Sequence, residues 1–213
     1  MKQVNVKLYS FEELSENAKK RVISDNRDDI YSWHANDIWC TAMETLKKFE
    51  YFFDCRASGV EVDIYRHYCS VSVQGDYDDT TELADITGRH LQRMVEFIVE
   101  NYIIKKKEYY HPNYLKNGKK RTSKFQYEFT GFELTGMCYD YDILKPAMEF
   151  YSGKMRPGKN FSYQDLMELC MDSLFASIQK ELEWVYSDEY IADYIVNNFS
   201  DDFLETGERA KVA

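Results

Sequence analysis

The feature that most constrains this chain is a periodic run near its C-terminal end. Met167, Met171, Leu174, Phe175, Ile178, Leu182 and Val185 fall at offsets 0, 4, 7, 8, 11, 15 and 18, the spacing that lines one face of an α-helix. Ser162 and Asp165 open the run as a start signal, with side-chain oxygens placed to take up the first helical N–H groups. A helix with one apolar stripe must bury that stripe against another element, so a packed globular fold is required. A shorter helix is expected over 188–198, with 208–213 fraying beyond Gly207.

The earlier chain reads as mixed elements. Val4, Val6 and Leu8 alternate with polar residues over 2–9, as in a half-buried strand. Ser10 and Glu13 form a capping box that starts a helix to about Arg27, and a second helix is expected over 31–49, closed by Lys47 and Lys48. Val60, Val62 and Ile64 make a strand, paired in a hairpin with Cys69, Val71 and Val73, and Gln74-Gly75-Asp76 turns the chain. Thr81 is the expected N-cap of a helix over 82–104, whose inward face would hold Leu83, Ile86, His90, Met94, Phe97, Ile98 and Asn101 or Tyr102. Residues 105–124 read as a basic hairpin insertion turning at Asn117-Gly118, followed by a strand to Leu134. Pro146 leaves 139–151 open between helix and loop, and Gly153 and Pro157-Gly158 mark a loop.

Strands and helices do not alternate, which argues against a doubly wound parallel sheet. The order fits an α+β fold over 1–213: a single domain with an antiparallel sheet, helices packed on it and a long C-terminal helix. At 213 residues a core needs no disulfide or metal. The five cysteines are odd in number and widely spaced, which suits reduced thiols in a cytoplasm. No apolar run reaches the length of a membrane span, and the first residues lack a signal-peptide pattern.

Charge is unevenly distributed. The net charge is −10, which argues against broad phosphate-backbone binding and makes nucleic acid a disfavoured partner. From Lys105 to Lys124 eight basic residues face one acid, whereas from Ser162 to Arg209 twelve acids face two bases. Lys105, Lys106, Lys107, Lys119, Lys120 and Arg121 interleave with Tyr109, Tyr110 and Tyr114, the place best suited to a nucleic-acid or partner contact, although a solvated hairpin has the same composition. On the helix from Ser162, Asp165, Glu168, Asp172 and Glu183 fall within roughly 60° of each other beside the apolar stripe, an acidic face suited to a basic partner or to solvation.

The motifs of enzymes are weak here. The four histidines sit in four different elements, and His67 and Cys69 would need further ligands for zinc. Gln74, Gly75, Asp76, Asp78 and Asp79 pack three carboxylates at a strand end, a weak site for Mg²⁺ or Ca²⁺ and a good composition for a turn. There is no phosphate loop, nucleophile elbow or dinucleotide turn, so no catalytic residue, cofactor or metal is expected.

The segment Tyr9-Ser10-Phe11-Glu12-Glu13-Leu14-Ser15-Glu16-Asn17-Ala18-Lys19 resembles the YxFxELSExAK opening of a family of bacteriophage proteins, often labelled "antitoxin of toxin-antitoxin stability system". Gln74-Gly75-Asp76, the segment from Ser187 to Asp193, and Phe203 to Gly207 as F-x-x-x-G extend the resemblance, with 105–160 unmatched and Tyr77 in place of the family's second glycine. The resemblance implies a phage accessory protein acting in the bacterial host cytoplasm. The expected function is a non-catalytic protein that inhibits a host factor, such as a CRISPR-type defence complex, through Asp165, Glu168, Asp172 and Glu183. An antitoxin-like or regulatory module and a divalent-metal enzyme are the alternatives.

Overall fold

The computed structural model describes residues 7–78, 80–103, 113–114, 120–121, 134–199 and 203–210. The fold is α+β, with helices packed on antiparallel strand pairs and a long helix near the C-terminus. Its described elements are α1 (Glu16–Phe53), β1 (Cys55–Val62), β2 (His67–Val73), β3 (Asp76–Asp78), β4 (Thr81–Glu82), α2 (Gly88–Ile98), β5 (Asn113–Tyr114), β6 (Lys120–Arg121), α3 (Asp140–Tyr151), α4 (Tyr163–Val185) and α5 (Asp188–Asn198). The strands pair as three separate antiparallel ladders, β1 with β2, β3 with β4 and β5 with β6. By contacts the chain forms two compact units. The first comprises Met1–Cys40, Asp63–Arg66 and Ile178–Ala213, and the second Thr41–Val62 and His67–Ser177. The chain crosses between the two inside α1, on either side of the β1–β2 turn and inside α4.

In the first unit the opening and closing segments meet. Tyr9 exchanges backbone hydrogen bonds with Phe203 at 2.8 and 3.2 Å, and Phe11 packs edge-on against the Phe203 ring with centroids 6.4 Å apart. These residues join Leu14, Ala18, Val22, Ile23 and Ile30 with Ile191 and Ile195 of α5 in one buried cluster. The box at Ser10 and Glu13 forms, since the Ser10 N–H donates to Glu13 at 3.1 Å, but only a turn follows it. Ser15 caps the helix instead, its hydroxyl accepting from Ala18 N–H at 3.3 Å. Nor does the helix stop at Arg27. Residues 28–30, Asp-Asp-Ile, contain no Gly or Pro, so α1 continues as one 38-residue helix past Lys47 and Lys48.

α5 begins where expected, with the Ser187 hydroxyl accepting from Tyr190 N–H, and Arg27 pairs with Asp188 beside it. Residues 208–210 are not frayed: Arg209 bridges Phe203, Leu204 N–H donates to the Glu208 carbonyl, and Arg21 reaches the Glu208 carboxylate at 3.0 Å. Gly207, at φ +86°, lies so close to α1 that a Cβ would stand 2.8 Å from the Ala18 carbonyl oxygen and 3.1 Å from Val22.

In the second unit β1 and β2 form the expected hairpin, but β1 starts at Cys55 and carries an irregularity between Ser58 and Glu61, where Gly59 takes φ +60°. That shift ends the strand at Val62, so Ile64 falls in the turn. α4 docks by its N-terminus. Its apolar stripe is buried as the spacing required, and Tyr163, Leu166 and Cys170 join it. Gln164 satisfies the free edge of β2, donating to the Val71 carbonyl at 2.7 Å and accepting from Val73 N–H at 3.2 Å. The fully buried Tyr163 hydroxyl donates to the Phe53 carbonyl at 2.6 Å.

The helix expected over 82–104 is broken up. Thr81 and Glu82 are taken by β4, a single 3-10 turn follows at Leu83–Asp85, and α2 starts at Gly88, whose φ of +58° sets the entry turn. The buried face of α2 is Leu91, Val95 and Ile98, one position on from the expected His90, Met94 and Phe97, which leaves His90 and Phe97 exposed. A π-helical turn over Val99–Ile103 closes the element. Pro146 lies inside α3, so 139–151 is helical in spite of it, with Pro146 itself buried. The strand expected to Leu134 and the one over 2–9 lie largely outside the described residues. In β5 and β6, Tyr114 pairs with Lys120, whereas a straight two-residue turn at Asn117-Gly118 would place it opposite Arg121; the turn itself lies outside the described residues.

α3 begins on a buried carboxylate. Asp140, 1% exposed, accepts from Thr135 N–H and Gly136 N–H at 2.8 Å each, from the Thr135 hydroxyl at 2.7 Å and from the Thr45 hydroxyl of α1 at 3.3 Å. Replacing Asp140 with Ala strands these donors and costs about 3 kcal/mol by the usual penalty for buried unsatisfied groups. Gly207→Ala costs about 2 kcal/mol, because positive φ and a clash with backbone act together. Urea denaturation of each variant measures both; a loss under about 0.5 kcal/mol contradicts the packing described.

Candidate functional site

Three of the four acids named from the sequence line one groove in the second unit. Asp165, Glu168 and Asp172 border it with Phe161, the 38%-exposed Leu169, and Lys159, and its volume is about 760 Å³. The carboxylates are not equivalent. Asp165 accepts from both the N–H and the hydroxyl of Ser162 at 2.8 Å, while the Ser162 hydroxyl accepts from Asp165 N–H at 3.2 Å. This reciprocal box makes Asp165 a capping residue of α4. Glu168 and Asp172 remain exposed, with Glu168 accepting from Gln164 at 2.9 Å. Glu183 belongs to the first unit, where it is exposed and accepts from Gln179 at 3.1 Å.

The Gln74-Gly75-Asp76 segment turns as expected, with Gly75 at φ +108° and its carbonyl accepting from Leu83 N–H at 3.0 Å. Asp78 closes the next turn by accepting from the N–H and hydroxyl of Thr80 at 3.0 and 2.8 Å. Those bonds, the hydroxyl first, hold its pKa below the usual carboxylate range. Asp79 lies outside the described residues. Among the described residues no group of three or more His, Cys, Asp and Glu is arranged to hold a metal ion.

The turn borders a cleft that the sequence did not disclose. Tyr51, Phe52, Asp54, Gln74, Asp76, Tyr77, Met94, Phe97 and Tyr102 are among its lining residues, around about 450 Å³. Phe52 and Tyr102 stand 5.4 Å apart, Tyr51 and Phe52 5.3 Å, and Phe97 and Tyr102 6.2 Å between centroids. Asp54 adopts φ +45°, and its carbonyl accepts from Gln74 N–H at 2.9 Å, which ties the end of α1 to the turn. The signal that could have found the cleft was the competing apolar stripe Leu91, Val95 and Ile98. Burying that stripe turns Phe97 outward.

Of the basic segment, the structure describes only the backbone pairing of Asn113–Tyr114 with Lys120–Arg121; Lys105, Lys106, Lys107 and Lys119 lie outside the described residues. His34 is on α1, where Tyr190 hydroxyl lies 3.1 Å from its Nε2 and partial burial lowers its pKa. His67 and Cys69 occupy β2 and His90 lies on α2.

The cysteines divide by environment. Cys55 and Cys170 are buried, and burial raises both thiols, Cys55 to about 12. Half-buried Cys69 is raised to about 11, again mainly by burial. Cys40 and Cys138 are exposed. A thiol reacts as its thiolate, so Cys69 and Cys55 gain reactivity only as pH climbs toward 11–12, and burial holds Cys170 back in the same direction. At pH 8 an alkylating reagent should label Cys40 and Cys138 well ahead of the other three in the native protein. Mass spectrometry reads the order, and early labelling of Cys55 or Cys170 contradicts the burial.

No helix among the described residues is long and apolar enough to cross a membrane. The chain matches no family model, no curated protein and no solved structure.

Proposed function

We propose that this chain is a non-catalytic binding protein of phage origin that inhibits a host factor, and that it engages that factor through the acidic groove of α4. The carrying observation is the groove itself. Glu168 and Asp172 stay exposed beside the solvent-facing Leu169 and the half-buried Phe161, which supplies charge for steering and apolar surface for attachment. Its complement is a basic surface. A defence nuclease that holds nucleic acid in a positively charged channel, as CRISPR effectors do, offers such a surface. The phage-like opening and closing motifs agree with that choice of partner.

Two acids suffice for the test, because Asp165 caps α4 and its reversal would cost about 1 kcal/mol of stability. Glu168→Lys with Asp172→Lys leaves the fold intact by circular dichroism and slows association with a purified effector by about tenfold at low salt. The same variant loses protection of phage in a plaque assay against the sensitive defence system. An unchanged on-rate in the folded double variant removes the groove as the docking surface. Rescue of growth from a co-expressed toxin, with no effect on defence, transfers the function to the antitoxin-like reading.

A further inference from the structure

The cleft at the Gln74-Gly75-Asp76 turn combines two features that attract the same chemical group. Tyr51 is 77% exposed, Phe97 59% and Tyr102 51%, and all three stand at its mouth with Phe52. A contiguous set of rings left in water marks a surface that meets a ligand or partner. The π-helical turn over Val99–Ile103 carries Tyr102 out of the α-helical register and toward Phe52, a distortion that recurs at functional sites. Asp54 and Asp76 line the same cleft, and none of its described lining residues is Lys, Arg or His.

An aromatic face is negative at its centre and draws a cation, and a carboxylate draws one more strongly. Both properties repel phosphate, so the lining disfavours a nucleotide chain despite its stacking rings. We infer that this cleft binds the guanidinium of an arginine side chain presented by a partner protein. A planar guanidinium stacks on a ring while its N–H groups pair with a carboxylate, which uses both kinds of lining residue at once. About 450 Å³ accommodates one long side chain. The site shares no residue with the α4 groove and does not depend on its function.

The test uses the full-length chain and two short blocked peptides, Gly-Arg-Gly and the same peptide with citrulline, which keeps the shape and removes the charge. NMR of the ring protons follows each titration. The arginine peptide should shift Tyr51, Phe97 and Tyr102 saturably, and the citrulline peptide should bind about tenfold more weakly or worse. Tyr102→Leu should weaken the arginine peptide about threefold, and Asp54→Asn with Asp76→Asn about tenfold. The Glu168→Lys, Asp172→Lys protein should respond as wild type, which separates this site from the groove. Equal binding of the two peptides, no saturable shift at these rings, or tighter binding of a short single-stranded oligonucleotide overturns the inference. The two-peptide comparison is made on the unaltered protein, so it stands even if a variant fails to fold.

Discussion

The second unit depends on a carboxylate that is kept out of water. Asp140 is buried yet receives four hydrogen bonds, from two backbone N–H groups and two hydroxyls. An isolated buried carboxylate costs far more than any one of those bonds returns, so the arrangement persists only when all donors are in place. The donors come from Thr45 in α1 and from Thr135-Gly136 in the turn before α3. The N-terminus of α3 adds a favourable dipole. One side chain thereby fixes the register between a helix, a turn and the start of another helix, and α4 then closes over the apolar side chains these elements bury.

What could be read in advance was local chemistry that no distant contact overrules. The α4 stripe, its capping box, the Ser187 cap of α5 and the β1–β2 hairpin each follow from residues a few positions apart. The failures occurred where two local signals competed. Ser10 and Ser15 both precede suitable partners, and Ser15 caps the helix because the Phe11–Leu14 turn is drawn onto Phe203. Thr81 resembles a helix cap, but β3 takes it into a strand pair, and α2 waits for Gly88. The sequence reads as two helices, to about Arg27 and over 31–49, yet a segment with no Gly or Pro and buried residues on both sides has no reason to end. Within α2 two stripes one position apart also competed, and burial of Leu91, Val95 and Ile98 rather than His90, Met94 and Phe97 left Phe97 at the cleft.

The opening and closing segments of the chain are joined in the first unit. Tyr9, Phe11, Leu14 and Ala18 of the opening segment pack with Phe203, and Gly207 of the closing segment sits against the Ala18 carbonyl. Two stretches separated by almost the whole chain are thus one packing solution. The residues that make it are spent on the core, whereas the α4 groove and the aromatic cleft are built from residues outside it.

The excess of acids in this chain does not by itself locate an acidic surface, and several of the carboxylates are at work on the backbone. Asp140 and Asp165 hold helix starts, Asp63 accepts from Tyr65 and Arg66 N–H in the β1–β2 turn, Asp78 closes a turn, and Glu50 accepts from Ala57 N–H at 2.7 Å. Spacing distinguishes these from the rest: an acid three residues after Ser162, or two before Thr80, has a donor within reach. Glu168 and Asp172 precede no such donor and lie a turn apart on the exposed side of α4, so their charge is projected into solvent. The net charge of −10 counts every acid alike and does not locate such a surface; on α4 the acids a basic surface would meet are Glu168 and Asp172.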